Sequence, residues 1–512
     1  MSQWIKLLAL GAVLSLAGCS GAGTPDLSEK SIAELQAMMS RGQLNSVQLV
    51  EYYQGRIARY DDGEKGLNAV IVVNPDALDI ARQLDRERAQ KGSRGPLHGI
   101  PVLLKDNIDT ADKMPNTAGS LLLKDNLPRQ DAPLVAKLRA AGAVILGKAN
   151  LSEWANFRAH PSSSGWSAVG GQVLNPYQEG ANPCGSSGGS AVAVAADLVA
   201  VSVGTETDGS LTCPAAINGI VTIKPTLNLI SQDGIIPIAH SQDTAGPMAR
   251  TIADAALLLE SMTDTKVDYS SALQKDGLRG KRIGVVRNLM GYDQNLDNTF
   301  DAELKALQAQ GAELVDSCDI ATVGQFSEQE FTVLLAEFKA GINAYLEQAD
   351  LPGVHNLKAL VEGNKQLADR ELVHFGQELF EYALQAPSLT DSAYIQAQES
   401  ARRLAGKEGI DAALERCDVD LLIAPTVGPA WQTNYERGDQ FEGSASSPAA
   451  VAGYPHITVP MGFVEGLPVG LSFFSAANTE SLLIEAAYSY EQATHHRIAP
   501  TLEWISGAAE TE

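Results

Sequence analysis

Ser31-Ile32-Ala33-Glu34 sets a serine three residues ahead of an acid at the head of an apolar-periodic run, the capping-box pattern that opens an amphipathic helix. Short apolar runs rich in β-branched residues, Val70-Ile71-Val72-Val73, Val144-Ile145-Leu146 and Ile283-Gly284-Val285-Val286, alternate with helical stretches and read as strands. The segment His98-Gly99-Ile100-Pro101-Val102-Leu103-Leu104-Lys105 reads as a turn followed by a short apolar strand, with a charge arriving at its end. This alternation predicts an α/β layered fold. From about Gln325 to Gly409 the pattern is largely helical.

One stretch breaks the rhythm. Cys184-Gly185-Ser186-Ser187-Gly188-Gly189-Ser190 and Gly204-Thr205-Glu206-Thr207-Asp208-Gly209-Ser210 are two serine-bearing glycine loops, joined by an apolar run to Val203 that reads as one helix. Glycine lets the backbone turn sharply and approach a ligand, so such loops can aim hydroxyls and N–H groups at one point. A pair of ordinary turns beside a buried helix has the same composition. Gly185-Ser186-Ser187-Gly188-Gly189 also fits the nucleophile-elbow pattern, which makes Ser187 the nucleophile of an α/β-hydrolase. That alternative needs a later histidine, and His240, His355, His374, His456, His495 and His496 have no spacing that singles one out. A lysine shielded from water is the other base available, since burial lowers its pKa. Lys105, at a strand end where α/β proteins place functional groups, is the candidate, although most lysines are solvated surface charges.

The run Pro101-Val102-Leu103-Leu104-Lys105-Asp106-Asn107, the loop from Gly185 to Ser190, and Gly209-Ser210 followed by Cys213-Pro214-Ala215-Ala216 resemble the amidase signature family. Further similar segments are Ile145–Arg158, His240–Met248 and Ala452–Pro460, so that the likeness extends from about Leu27 to Leu502. That family uses a Ser-cisSer-Lys triad with the cis-serine 24 residues ahead of the nucleophile, a spacing that Ser186 and Ser210 meet. The resemblance therefore implies that Ser210 attacks the amide carbonyl, Ser186 relays its proton to neutral Lys105, and Ser187 steadies Lys105 by hydrogen bonding. The backbone of Thr207, Asp208, Gly209 and Ser210 is the expected oxyanion hole. The Asp208 side chain is expected either to hold the loop or to recognise a polar substrate group. Thr205-Glu206-Thr207-Asp208-Gly209-Ser210 resembles the peptide amidase branch more than the tRNA-amidotransferase branch, which usually carries glycine at the position of Asp208. Val169 and the run Thr222-Ile223-Lys224-Pro225 depart from the family pattern and bear on a substrate wall or a turn. The implied fold is a single large domain with a mixed, twisted sheet of about eleven strands and helices on both faces. In such proteins the helical region often lines the substrate entrance, which makes Phe331, Phe338 and Tyr345 candidates for the pocket and equally for the core.

The 512 residues, 45% of them hydrophobic and 20% charged, suffice for a large core, and no linker, charge block or repeat divides the chain. A formal net charge of −24 argues against a general nucleic-acid binder. Cys184, Cys213, Cys318 and Cys417 match no disulfide framework or zinc knuckle. A Cys184–Cys213 bridge is conceivable, but the expectation is free, mostly buried thiols. No metal or other cofactor is required by the chemistry implied.

At the N-terminus a short segment with one positive charge, Met1 to Lys6, precedes the apolar run Leu7 to Ala17 and Leu16-Ala17-Gly18-Cys19. This resembles a bacterial lipoprotein signal whose Cys19 becomes the lipidated first residue, and the apolar core is too short for a spanning helix. The expected organisation is a signal over residues 1–18, a flexible tether over 19–29, the amidase-type domain over 30–505 and a tail over 506–512. The protein would be exported and anchored in the cell envelope through Cys19, facing the periplasm at, by the Ser20 that follows, the outer membrane, with no other membrane contact. Its partner is a small-molecule or peptide amide, and it is a monomer or a homodimer. Three functions stand: an envelope amidase acting on peptide C-terminal amides or other small carboxamides, an amidotransferase-type A subunit, and a non-catalytic envelope-binding lipoprotein. Export disfavours the second, and an intact Lys105, Ser186 and Ser210 the third.

Overall fold

In a computed structural model, which describes residues 26–505 except Glu64 and Lys266, the apolar runs gather into one mixed sheet of eleven strands. In chain order these are β1 Val70–Val73, β2 Pro101–Lys105, β3 Val144–Ala149, β4 Val201–Glu206, β5 Val221–Lys224, β6 Thr244–Ala249, β7 Arg282–Val285, β8 Glu313–Val315, β9 Leu421–Pro425, β10 His456–Val464 and β11 Leu467–Phe474. Across the sheet they stand β1-β3-β2-β4-β6-β5-β10-β11-β9-β7-β8. β2 runs parallel to both β3 and β4, and β7 parallel to both β9 and β8, while the other neighbours are antiparallel. β2 through β6, β9 and β11 are buried along their whole length. Helices cover both faces of such strands, which is why they read as continuous apolar runs rather than as alternating ones.

The expected capping box is present. Ser31 Oγ accepts from the Glu34 N–H, and the Glu34 carboxylate accepts from the Ser31 N–H, ahead of the helix Ile32–Ser40. Leu27 is buried, and Glu29 is bound by Arg497, so the packed body begins inside the segment expected as a tether. The lipidation candidate Cys19, the signal over 1–18 and the tail over 506–512 lie outside the described residues.

The apolar run after the first glycine loop is not one helix. The helix Gly188–Ala195 stops at Ala196, Asp197 takes a left-handed φ of 56°, and the chain then enters β4. The Asp197 carboxylate is held by Arg250 at 3.3 Å and by the Tyr52 hydroxyl at 2.8 Å, which fixes the reversal. Valines 199, 201 and 203 suit a strand between β2 and β6, and an unbroken apolar run carries no period to reveal the switch.

The helical region forms as expected, with long helices at Ser327–Ala349 and Ser392–Ala405 and shorter ones between them. Phe338, Ile342, Leu360 and Phe380 pack against Trp154, Phe157 and Ile238 from the loops beside the sheet. A buried Arg158 pins the two parts together, paired with Glu153 and donating to the Glu371 carbonyl at 2.6 Å.

Candidate active site

β2 ends at Lys105, and the parallel pairing Leu104↔Val203 brings Thr205 of β4 alongside it. The fully buried Lys105 Nζ donates to Ser186 Oγ at 2.6 Å, to Thr205 Oγ1 at 2.9 Å and to the Thr205 carbonyl at 3.2 Å. Asn107 Nδ2 donates to the same Thr205 Oγ1 at 3.0 Å. Burial pulls the lysine down to about 7, against the opposing pull of the Asp243 and Glu206 charges. A buried amine that is substantially neutral near pH 7 and bonded to a hydroxyl can take a proton from it.

The peptide bond between Gly185 and Ser186 is cis. Among the described residues Ser187 makes no hydrogen bond to Lys105, contrary to the expected role. Its Oγ donates to the Thr205 carbonyl at 2.9 Å and accepts from the Thr205 N–H at 3.2 Å, so lysine and serine share the carbonyl of one β4 residue. Position 204 must be glycine for this, because a Cβ there would stand 2.8 Å from Ser187 Oγ and 2.7 Å from Leu211 Cδ2. The Ser187 N–H donates to the Ser210 carbonyl at 3.2 Å and ties the two glycine loops together.

Gly209 adopts φ 81° immediately before Ser210, a conformation costly for other residues. Among the described residues the N–H groups of Thr207, Asp208, Gly209 and Ser210 donate to no protein acceptor. Neighbouring carboxylates hold the turn instead. Glu206 Oε2 accepts from the Leu211 N–H at 2.7 Å and the Thr212 N–H at 3.0 Å, while Asp243 accepts from Thr207 Oγ1 at 2.6 Å and from the Ile238 and Ala239 N–H groups at 2.8 and 2.9 Å. Neither carboxylate stands out in the sequence by its own spacing. Glu206 and Thr205 lie inside the second glycine loop, and Asp243 inside the family-like run His240–Met248.

Ser210 and Gly185 line a cavity of about 500 Å³. Of the three aromatic candidates only Phe331 borders it, with Phe157, Phe441 and Leu334 among the other apolar walls. Phe338 is core, stacked on Phe380, and Tyr345 donates to Asp109 at 2.8 Å. Asp208 and Glu330 also border the cavity, and Gln242 Nε2 donates to Glu330 Oε1 at 3.0 Å. Burial, reinforced by the neighbouring Asp208, pushes Glu330 up to about 8, and burial raises Asp208 as well. No histidine among the described residues hydrogen-bonds to Ser187 or Ser210. His456 sits in the sheet against Ser472 Oγ at 2.6 Å, where burial holds its pKa down at about 3.

The expectation of free thiols is overturned. Cys184 is bonded to Cys213, and Cys318 to Cys417, with Cα–Cα separations of 6.1 and 6.0 Å. Both are within bridging range. Sequence spacing could not show this, because the return of β4 along the helix Gly188–Ala195 is what brings the two site loops together. The Cys184–Cys213 bridge borders the cavity; Cys184, Cys213 and Cys318 are buried, and Cys417 is half-buried.

A buried lysine on a β-strand end, bonded to the serine of one glycine loop and set behind the serine of a second, belongs to the amidase signature class of hydrolases. The family model described as Amidase matches residues 48–484, and the chain belongs to that family. Its eleven-stranded fold is shared with the peptide amidase of Stenotrophomonas maltophilia, at 50% identity and a TM-score of 0.89, with 93% of this chain and 99% of that one covered. A probable amidase of Arabidopsis thaliana is 39% identical, covering 97% of this chain and 96% of its own length. The A subunit of the glutamyl-tRNA(Gln) amidotransferase from Halorhodospira halophila is 34% identical, covering 92% and 99%. The chain is thus an amidase, a hydrolase of amide C–N bonds.

Proposed function

We propose that the chain is an exported amidase that hydrolyses peptide C-terminal amides or other small carboxamides through Ser210, Ser186 and Lys105. The observation that carries this reading is the 2.6 Å bond from Lys105 Nζ to Ser186 Oγ, in a site where burial keeps the lysine near neutrality.

Ser210 Oγ attacks the carbonyl carbon while its proton passes to Ser186 Oγ, whose own proton passes to neutral Lys105. The negative oxygen of the tetrahedral intermediate meets the free N–H groups of the Thr207–Ser210 turn. As the C–N bond breaks, Ser186 protonates the leaving nitrogen and recovers a proton from Lys105, leaving ammonia or an amine and an ester on Ser210. Water, deprotonated along the same route, then cleaves the ester to a carboxylate and restores Ser210. Ser187 acts by fixing Thr205 and, through it, the lysine.

Two disulfides favour an oxidising compartment, in keeping with export behind the signal-like N-terminus and an anchor on Cys19. The same two features weigh against a component of an amidotransferase working in the cytoplasm.

Ser210→Ala is expected to abolish hydrolysis of a peptide amide while leaving the melting temperature within a few degrees of wild type. Mass spectrometry of acid-quenched wild-type enzyme with a slow aryl ester is expected to find the acyl group on the peptide containing Ser210. An adduct on Ser187, or activity retained in Ser210→Ala, moves the nucleophile and sinks the assignment.

A further inference from the structure

A second cavity, of about 260 Å³, opens beside the helix Ser327–Ala349 and shares no wall residue with the one that Ser210 lines. Glu330 of that helix borders the active-site cavity, whereas Val333, one turn further on, borders the second. Gln242 stands between the two, lining the second cavity while its Nε2 donates to Glu330 Oε1 at 3.0 Å. The apolar wall of the second cavity is buried, with Val333, Ala401 and Val451 contributed by three different helices.

Polar groups gather where this cavity meets solvent. Gln398 and Arg402 stand four residues apart on the helix Ser392–Ala405 and so share a face, and His240 and Ser241 approach from the segment ahead of β6. Among the described residues the exposed Arg402 guanidinium has no hydrogen bond and no ion pair, and the side chains of Gln398 and Ser241 have no hydrogen bond. No carboxylate lines the cavity among those residues. Glu337, which His240 meets at 3.1 Å, is buried and also accepts from the Ser241 N–H at 2.9 Å and the Tyr394 hydroxyl at 2.7 Å. Its hydrogen bond raises the His240 pKa, and the protonated pair is neutral as a whole. Arg402 is therefore a cation without an acid partner, in a chain of formal net charge −24.

A free guanidinium fork matches a carboxylate, which it binds through two parallel N–H···O bonds, and the neighbouring amide of Gln398 can donate a third. A hydrocarbon chain laid on Val333, Ala401 and Val451 adds roughly 25 cal/mol for each Å² removed from water. An ammonium on the same ligand would face Arg402 with no acid on the wall to receive it.

We propose that this cavity is a second binding site, for a small aliphatic carboxylate without a charged amine, held by Arg402 and Gln398 with its hydrocarbon against Val333, Ala401 and Val451. The proposal does not depend on which serine is the nucleophile.

Calorimetric titration of the whole protein with 4-methylpentanoate is expected to show saturable binding, weakened about tenfold or more in Arg402→Gln by loss of the charge-assisted bonds. Arg403→Gln removes an equal charge one residue along, from a side chain paired with Glu408 and away from the cavity, and is expected to bind as wild type does. Hydrolysis of a peptide amide by Arg402→Gln in the absence of carboxylate is expected to stay within about twofold of wild type, because Arg402 does not border the active-site cavity. To wild type, the uncharged 4-methylpentan-1-ol, inorganic phosphate, which lacks the hydrocarbon, and leucine, which adds the ammonium, are each expected to bind about tenfold or more weakly than 4-methylpentanoate. Equal weakening in Arg402→Gln and Arg403→Gln, or none in Arg402→Gln, means that the carboxylate binds elsewhere, the active-site cavity included, and overturns the inference. Binding of the alcohol, phosphate or leucine as tight as that of 4-methylpentanoate, or no saturable binding of the carboxylate, overturns it as well. The wild-type comparison stands whether or not a variant folds, and none of these outcomes bears on the amidase reading.

Discussion

At the scale of single residues, the chemistry turns on what surrounds one amine. Among the described residues Lys105 has no carboxylate as a hydrogen-bond partner, and its partners are a hydroxyl, a second hydroxyl and a carbonyl. Desolvation therefore outweighs the more distant Asp243 and Glu206 charges and depresses the pKa to about 7. The proton acceptor proposed here is the neutral form, so kcat/KM for a peptide amide is expected to fall as pH drops through about 7 and to level off above it. Lys105→Ala is expected to lose that limb and about 10²–10⁴-fold in rate, the range of positioned acid–base catalysis. A wild-type profile flat from pH 5 to 9 contradicts the assignment. Lys105, Ser186 and Ser210 were readable from spacing and resemblance. The partners of Ser187 were not, because which hydroxyl meets Thr205 depends on how β4 lies beside β2.

At the scale of elements, the proposed nucleophile Ser210 is held by a turn that cannot stabilise itself. After the end of β4 the N–H groups of Thr207 to Ser210 donate to no protein acceptor among the described residues, and Glu206 holds the next two, those of Leu211 and Thr212, at the head of the helix Thr212–Ile217. Glu206→Ala removes the acceptor of two buried N–H groups, which is expected to cost about 1–3 kcal/mol per unpaired donor. Denaturant unfolding measures that loss, and kcat is expected to fall with it while KM changes less, because the displaced turn carries Ser210. Gly209→Pro is a poor probe of the oxyanion donor. Proline cannot adopt φ 81°, so the substitution rebuilds the turn rather than deleting one N–H. The joining segment, which reads as one helix but turns after Ala195 and ends in β4, belongs to this scale as well: a largely apolar stretch between two loops hides the change from helical to extended backbone.

At the scale of the whole molecule, one sheet carries both glycine loops, and the helical block closes over them through Arg158 and the aromatic cluster around Phe338. The Cys318–Cys417 bridge spans that block, closing 99 residues of chain, while Cys184–Cys213 closes 29 beside the cavity. By chain entropy these loops correspond to roughly 4–5 and 3–4 kcal/mol. Reductant is expected to lower the melting temperature markedly, and alkylation under denaturing conditions without reductant is expected to label none of the four cysteines. The sequence by itself determined the layered α/β fold and the family, and it singled out the lysine and two serines proposed for catalysis, because period, glycine placement and motif spacing are local properties of the chain. Only the tertiary structure decided the pairing of the cysteines, the indirect hold of Ser187 on Lys105, the separation of Phe331 from Phe338 and Tyr345, and the meeting of Asp208 with Glu330. Each of these depends on residues far apart in the chain whose distance is set by strand order and helix packing. The two glycine loops announced a site, but the sheet that brings them together decided that Ser187 holds the lysine only through Thr205.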